Sequence, residues 1–318
     1  MNEYRINPGV STRTIQLTTG ERVRFALKAL DSAVQQAGSR FVPIGTEHLP
    51  YLPPRARVTR AEVITAPDGE SDLVMYGQDL RFSRAAEMSL VPPSTYAPVP
   101  TEPLPGVTVA AEPRNYPADV WPDIVADAPL PVEEQAAWAG LPPLIWTIDI
   151  PIAWGAVKFA GAFFSRLGEE AADGLLAWIN RALRSTKHPE REALIQIRFY
   201  FKDGGPAVLG FAPVDAHSDA SVDGLRAAFD AAGLLAEFAG SVAAGQQPAQ
   251  LRQCAFQWDA DQWRLAWWAT DDDVFITSWF NTNCPDPQRF LGSPLMEPET
   301  DGEASLSPPN TETQPDSS

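Results

Sequence analysis

The chain has 318 residues, 44% of them hydrophobic, with 10 Trp and 15 Phe, so it carries enough apolar surface for one large or two ordinary folded domains and is not wholly disordered. Its 41 acidic residues against 24 Lys and Arg give a net charge of −17, which opposes binding to a nucleic-acid backbone. Two cysteines, Cys254 and Cys284, are too few for a disulfide framework and are not spaced as metal ligands.

The charge is unevenly spread. Residues 1–91 carry ten acids and eleven bases, residues 92–150 eight and one, residues 151–293 seventeen and twelve, and residues 294–318 six acids and no base. The acidity concentrates where prolines and small polar residues also concentrate. The pattern predicts an α+β protein of two small α+β modules, 1–91 and 151–293. An extended acidic, proline-rich connector or strap (92–150) joins them, and an acidic tail (294–318) is expected to be disordered.

In the first module, Thr18 and Glu21 form a T-x-x-E capping pattern, and Val23, Leu27, Leu30 and Val34 recur at helical spacing up to Gly38, which predicts a helix over 19–37. Extended segments are expected at Thr12 to Leu17, Arg57 to Thr65, Asp72 to Tyr76 and Asp79 to Phe82, with Pro67-Asp68-Gly69 as a turn. The N-terminus has no apolar run of the signal-peptide kind, so a cytoplasmic location is expected.

From Pro92 to Pro151 the prolines recur every few residues, so neither a helix nor a central strand is expected to run through. Tyr96, Tyr116, Trp121, Ile124, Trp138 and Leu141 are costly to leave wet, so part of the segment should lie along a domain surface. Steps of three and four from Val157 through Phe164, Leu175 and Trp178 to Ala182 then predict a long helix over 153–186, with basic residues before Pro189. Its apolar start, Ile150 to Ser165, is shorter than the roughly 20 residues a membrane span needs.

Ala193 to Lys202 and Ala207 to Pro213 read as a hairpin around Gly204-Gly205-Pro206, followed by a helix near 221–240. The last folded stretch reads as an aromatic three-strand antiparallel meander, Gln253 to Trp258, Trp263 to Ala269 and Val274 to Phe280. Strict alternation places Cys254, Phe256, Trp258, Trp263, Leu265, Trp267 and Ile276 on one face, the core. Arg264, Trp268, Phe275 and Trp279 fall on the other, among Ala255, Ala266 and Thr277.

No catalytic, cofactor or metal motif stands out. Asp259 and Asp261 lie about 20 Å from Asp271, Asp272 and Asp273 at strand rise, which argues against one shared ion. Adjacent His217, Ser218 and Asp219 diverge rather than converge as a triad would. Cys254 and Cys284 have no sequence link to a histidine that would activate a thiol. No catalytic, cofactor-binding or metal-ligating residue is therefore assigned, and no cofactor.

The expected function is that of a cytoplasmic, non-enzymatic protein-binding protein of adaptor or immunity-like kind, bacterial in character. Its partner is another protein, with a basic one favoured by the charge; neither nucleic acid nor a membrane span is expected, and the oligomeric state is open. Arg264, Trp268, Phe275 and Trp279 are the protein-binding candidates, since Trp and Arg are typical interface anchors. The loop residues His48, Tyr51, Arg55 and Arg57 are weaker ligand candidates. The alternative is a hydrolase-type enzyme with a site between the modules built from scattered residues.

Overall fold

A computed structural model describes residues 3–8, 10–16, 22–45, 51–85, 107–134, 144–152, 168–187, 193–201, 206–214, 219–243 and 250–283. Among these residues the architecture is α+β, with two principal sheets and a small two-stranded ribbon. Expectations for the tail, for Tyr96, Trp138 and Leu141, for the Thr18–Glu21 box, for the Gly204-Gly205 turn and for 153–167 of the long helix lie outside the described residues.

The N-terminal part contains β1 (Glu3–Ile6), β2 (Ile15–Gln16), β3 (Arg22–Val23), α1 (Leu27–Ser39), β4 (Val42–Ile44), β5 (Ala56–Thr65) and β6 (Ser71–Asp79). Strands β1, β6, β5 and β4 form an antiparallel sheet in that order, while β2 and β3 pair with each other. The helix predicted from residue 19 is thus corrected. Arg22 and Val23 are extended, and α1 starts at Leu27 after an uncapped Ala26. Leu30 is fully buried with Leu73 and Val10, whereas Leu27 is exposed, so the buried stripe runs through Leu30, Ala33 and Val34.

Strand β7 (Arg81–Ala85) leaves this sheet at once and pairs parallel with a strand near the C-terminal end of the described chain. The stretch Asp79 to Phe82 is therefore not one strand. Asp79 closes β6, and Arg81 opens the edge strand of the second sheet.

Among the described residues, that second sheet has nine strands. Beyond β7 come β8 (Thr108–Ala111), α2 (Trp121–Ala126), β9 (Val132–Glu134), β10 (Leu144–Ile152), α3 (Gly168–Arg184), β11 (Ala193–Phe201) and β12 (Ala207–Val214). They are followed by α4 (Asp219–Asp230), α5 (Ala232–Ala243), β13 (Gln253–Asp259), β14 (Gln262–Ala269), β15 (Asp273–Thr277) and α6 (Ser278–Asn283). The spatial order is β7, β15, β14, β13, β12, β11, β10, β8, β9. A mixed sheet results: β10 runs parallel to β11 and β12 parallel to β13, while β11–β12 and β13–β14–β15 are antiparallel.

Two sequence expectations change here. Leu144–Ile152 is a central strand paired on both sides, despite the prolines before it and Pro151 within it. Ile145, Trp146, Ile148 and Ile150 supply the β-formers, and Pro151 sits near the strand's end, where a missing donor costs least. The helix expected near 221–240 is two helices, α4 and α5, with Ala231 between them.

One face of the large sheet, hereafter the helix face, is covered by α2, α3, α4 and α5. Leu175, Trp178, Ile179 and Leu183 of α3 and Phe229, Leu235 and Ala236 of α4 and α5 pack on Trp146, Ile148, Ile197, Phe199 and Phe256. Tyr116, Trp121 and Ile124, the residues judged too apolar to leave wet, are buried here. The Trp146 indole donates to the Tyr116 hydroxyl at 2.8 Å, and that of Trp178 to the Ile124 carbonyl at 2.9 Å. The opposite face carries a second core of Leu209, Phe211, Ala255, Ala266, Trp267, Val274 and Ile276, closed by Leu52, Leu80 and Phe280 with Tyr51, Phe82 and Trp279.

Candidate protein-binding face

The meander holds the four main candidates, and its register decides where each points. Trp258 opposes Trp263, and Ala269 opposes Val274, as alternation predicts. Between them the ladder slips: Phe256 opposes Leu265 but Ala255 opposes Trp267, leaving Ala266 as the extra residue of a β-bulge. A one-residue insertion exchanges the faces of everything beyond it. Trp267 and Ile276, assigned to the face of Trp263, are corrected to the opposite core, where Trp267 is 1% exposed. Trp268 moves the other way, onto the helix face beside Cys254.

The third strand is also shorter than expected, ending at Thr277 rather than Phe280. The Thr277 hydroxyl donates to the Leu265 carbonyl at 2.8 Å and accepts the Phe280 N–H at 3.3 Å. One buried side chain therefore satisfies the bulge and caps α6. Trp279 sits in the first turn of α6, half-buried against the second core.

The four candidates do not form one patch. Arg264, opposite Gln257, and Trp279 lie on the second face, and Arg264 Nε is buried with no hydrogen-bond partner among the described residues. Trp268 and Phe275 lie on the helix face as a cross-strand pair, rings stacked with centroids 3.8 Å apart and planes 11° from parallel, both half-buried. Their row continues in register as Cys254, Trp268, Phe275 and Ser83, ending on edge strand β7.

Of the weaker candidates, His48 lies outside the described residues, as do His188, His217 and Cys284. Tyr51, Arg55 and Arg57 lie at the seam between the N-terminal strands and the large sheet. The Tyr51 carbonyl accepts the Trp267 indole N–H at 2.9 Å and a Gln257 amide N–H at 3.4 Å. Arg57 reaches Asp271 at 3.5 Å and Gln78 at 3.3 Å, and Arg252 holds the other Asp271 oxygen at 2.8 Å. Arg55 is exposed beside them, its backbone paired with Ile44 and Leu80. Asp271 is thus an anchor for two arginines, and Asp273 pairs with Arg81 at 2.7 Å; the hairpin tip is not merely solvated.

Sequence reasoning missed a polar row on the second face of β10 and β11. Thr147, Asp149, Gln196 and Arg198 stand in register there, with Tyr200 next along β11. Asp149, side chain 6% exposed, accepts a two-pronged bond from Arg198 Nε and Nη2, both at 2.5 Å. The Arg198 and Arg40 guanidinium carbons each lie 5.6 Å from the Tyr200 ring centroid. Burial first, and then the Asp149 charge, push the Tyr200 phenol above its ordinary range. The alternation of polar residues in two neighbouring strands was the available signal, but β10 was read as part of the connector.

Cys254 is fully buried, and desolvation raises its thiol well above the ordinary range, so it packs as a small apolar residue. Among the described residues no group of three or more His, Cys, Asp or Glu is placed to hold a metal ion, and no helix is long and apolar enough to cross a membrane. Compared with protein-family models, with curated proteins and with solved structures, the chain matches none.

Proposed function

We propose that the chain is a non-enzymatic protein-binding protein of adaptor or immunity-like kind, working in the cytoplasm of a bacterium, with the Trp268–Phe275 end of the large sheet as its docking face. The observation that carries this reading is the half-buried stack itself. Two aromatic rings lie flat on each other at the end of the sheet where β15 meets β7. Rigid aromatic side chains of this kind present large apolar area at low entropic cost, which is what interface anchors require. The acidic bulk of the chain would speed encounter with a basic partner.

Among the described residues, the hydrolase alternative has the Asp149, Arg198 and Tyr200 row to draw on. Asp149 is held by both prongs of one guanidinium, and Tyr200 is pushed away from its phenolate form, so neither group is poised as base or nucleophile. That row fits a structural ion pair better than a catalytic one.

The test is quantitative affinity capture from the source cells, comparing the tagged wild type with a Trp268→Ser/Phe275→Ser variant of unchanged fold by circular dichroism. Supporting the reading requires a protein retained by the wild type, lost by the variant, and rebinding stoichiometrically when purified. Equal retention by both forms would remove the docking face from the proposal.

A further inference from the structure

The geometry points to β7 as an acceptor edge, onto which a partner adds an extended segment carrying an aromatic or large aliphatic residue next to an acidic one. The inference deepens the protein-binding reading and rests on it. Among the described residues β7 is an edge strand of the large sheet, paired on one side only, with β15. The Arg81 N–H donates inward to the Asp272 carbonyl at 3.0 Å. Because backbone groups alternate sides along a strand, Ser83 and Ala85 also face β15, and the N–H and C=O groups of Phe82 and Arg84 face outward. These are the groups that an added strand pairs with.

Side-chain specificity follows from the register. On the helix face the cross-strand row ends at Ser83, a small residue flanking the Phe275 ring. An added strand would place its own side chain beside Ser83, where a large apolar group reaches over the hydroxymethyl to the Trp268–Phe275 stack. On the opposite face the row runs Trp267, Ile276 and Arg84. Arg84 is exposed and no ion pair holds it among the described residues, whereas Arg81 on the same strand is already held by Asp273. The neighbouring position of the added strand, pointing to that face, therefore suits a carboxylate.

Two measurements test this with the full-length protein. Hydrogen exchange reads the backbone directly: the Phe82 and Arg84 amides should exchange rapidly in the free protein while Ser83 is protected. Protection of Phe82 and Arg84 in the free protein would show the edge already paired and overturn the proposal. An immobilised array of octapeptides, alternating β-branched residues with either Phe or Ser and either Glu or Lys, then reads specificity. Phe–Glu peptides should bind at least tenfold more strongly than Phe–Lys or Ser–Glu peptides, and bound peptide should slow exchange at Phe82 and Arg84.

Arg84→Pro removes an outward donor while sparing the ladder to β15, so it should keep native melting and lose peptide binding. Arg84→Glu should invert the preference to Phe–Lys. Unselective binding across the array, or binding undiminished in Arg84→Pro, refutes edge addition. Cell-derived partner binding that survives Arg84→Pro but is lost in Trp268→Ser/Phe275→Ser would refute the edge while leaving the docking face intact.

Discussion

The indole N–H of Trp267 donates to the backbone carbonyl of Tyr51 at 2.9 Å, joining residues 216 positions apart in the chain. Trp267 is 1% exposed and packs with Leu52, Phe211 and Ile276, so one side chain seals the loop of the N-terminal part onto the large sheet. Trp267→Ala should cost about 3–5 kcal/mol, as deletion of a large core aromatic does. Trp267→Phe keeps most of the ring and loses the donor, for about 1–2 kcal/mol. Trp268→Ala, removing a half-buried ring, should cost less than Trp267→Ala. Urea unfolding of the three variants checks the order, and equal losses at 267 and 268 would contradict the bulge.

Gly210 on β12 is the second point of tight approach. A Cβ built there would lie 2.4 Å from Leu235 Cδ1 and 3.1 Å from Trp263 Cζ3. Leu235 is fully buried and Trp263 is 4% exposed, so neither has room to yield. Gly210→Ala should therefore destabilise by about 1–3 kcal/mol, the usual range for overpacking, although alanine is the better residue on conformational entropy alone. Gly174, whose Cβ would meet nothing within 4 Å, is the control, and Gly174→Ala in α3 should be neutral or stabilising. Thermal melting of the pair separates packing from propensity.

Much of the fold was legible in pattern. The hairpin β11–β12 and the three meander strands follow from alternation, and the buried half of α3 follows from apolar spacing at Leu175, Ile179 and Ala182. What misled was local chemistry whose outcome depends on distant residues. Nothing in the string Arg-Leu-Ala-Trp-Trp marks Ala266 as a bulge; the bulge exists because Trp267 gains a core and a Tyr51 carbonyl on one side, while Trp268 keeps a stack with Phe275 on the other. Prolines were read as excluding β10, yet Trp146, Ile148 and Ile150 bury fully and outweigh a proline near the strand's end. The bulge and the early end of β15 divide the candidates: Trp268 and Phe275 share one face, and Arg264 and Trp279 lie on the other.

The turn between β13 and β14 should be improvable. Asp259 opposes Gln262, leaving a two-residue loop in which Ala260 and Asp261 have φ of 46° and 60°. Both fall in the left-handed region, which a type I′ turn requires and which alanine resists. Replacing the pair by Asn-Gly (Ala260→Asn, Asp261→Gly) should raise stability by about 0.5–1.5 kcal/mol, as a shift in denaturant midpoint at constant m-value. No shift would mean that the turn is not I′ in solution.

The Asp149–Arg198 pair yields an asymmetric prediction. Its members differ in their access to water: the Asp149 side chain is 6% exposed and that of Arg198 38%. Asp149→Asn leaves a guanidinium that can turn toward solvent, so the loss should stay near 1–2 kcal/mol. Arg198→Met strands a carboxylate that cannot, and the expected loss is about 3–5 kcal/mol. The double variant should be closer to wild type than Arg198→Met alone, because an amide in place of the stranded charge removes the larger penalty. Were Asp149→Asn the more damaging substitution, the burial of Asp149 would not be what holds this pair in place.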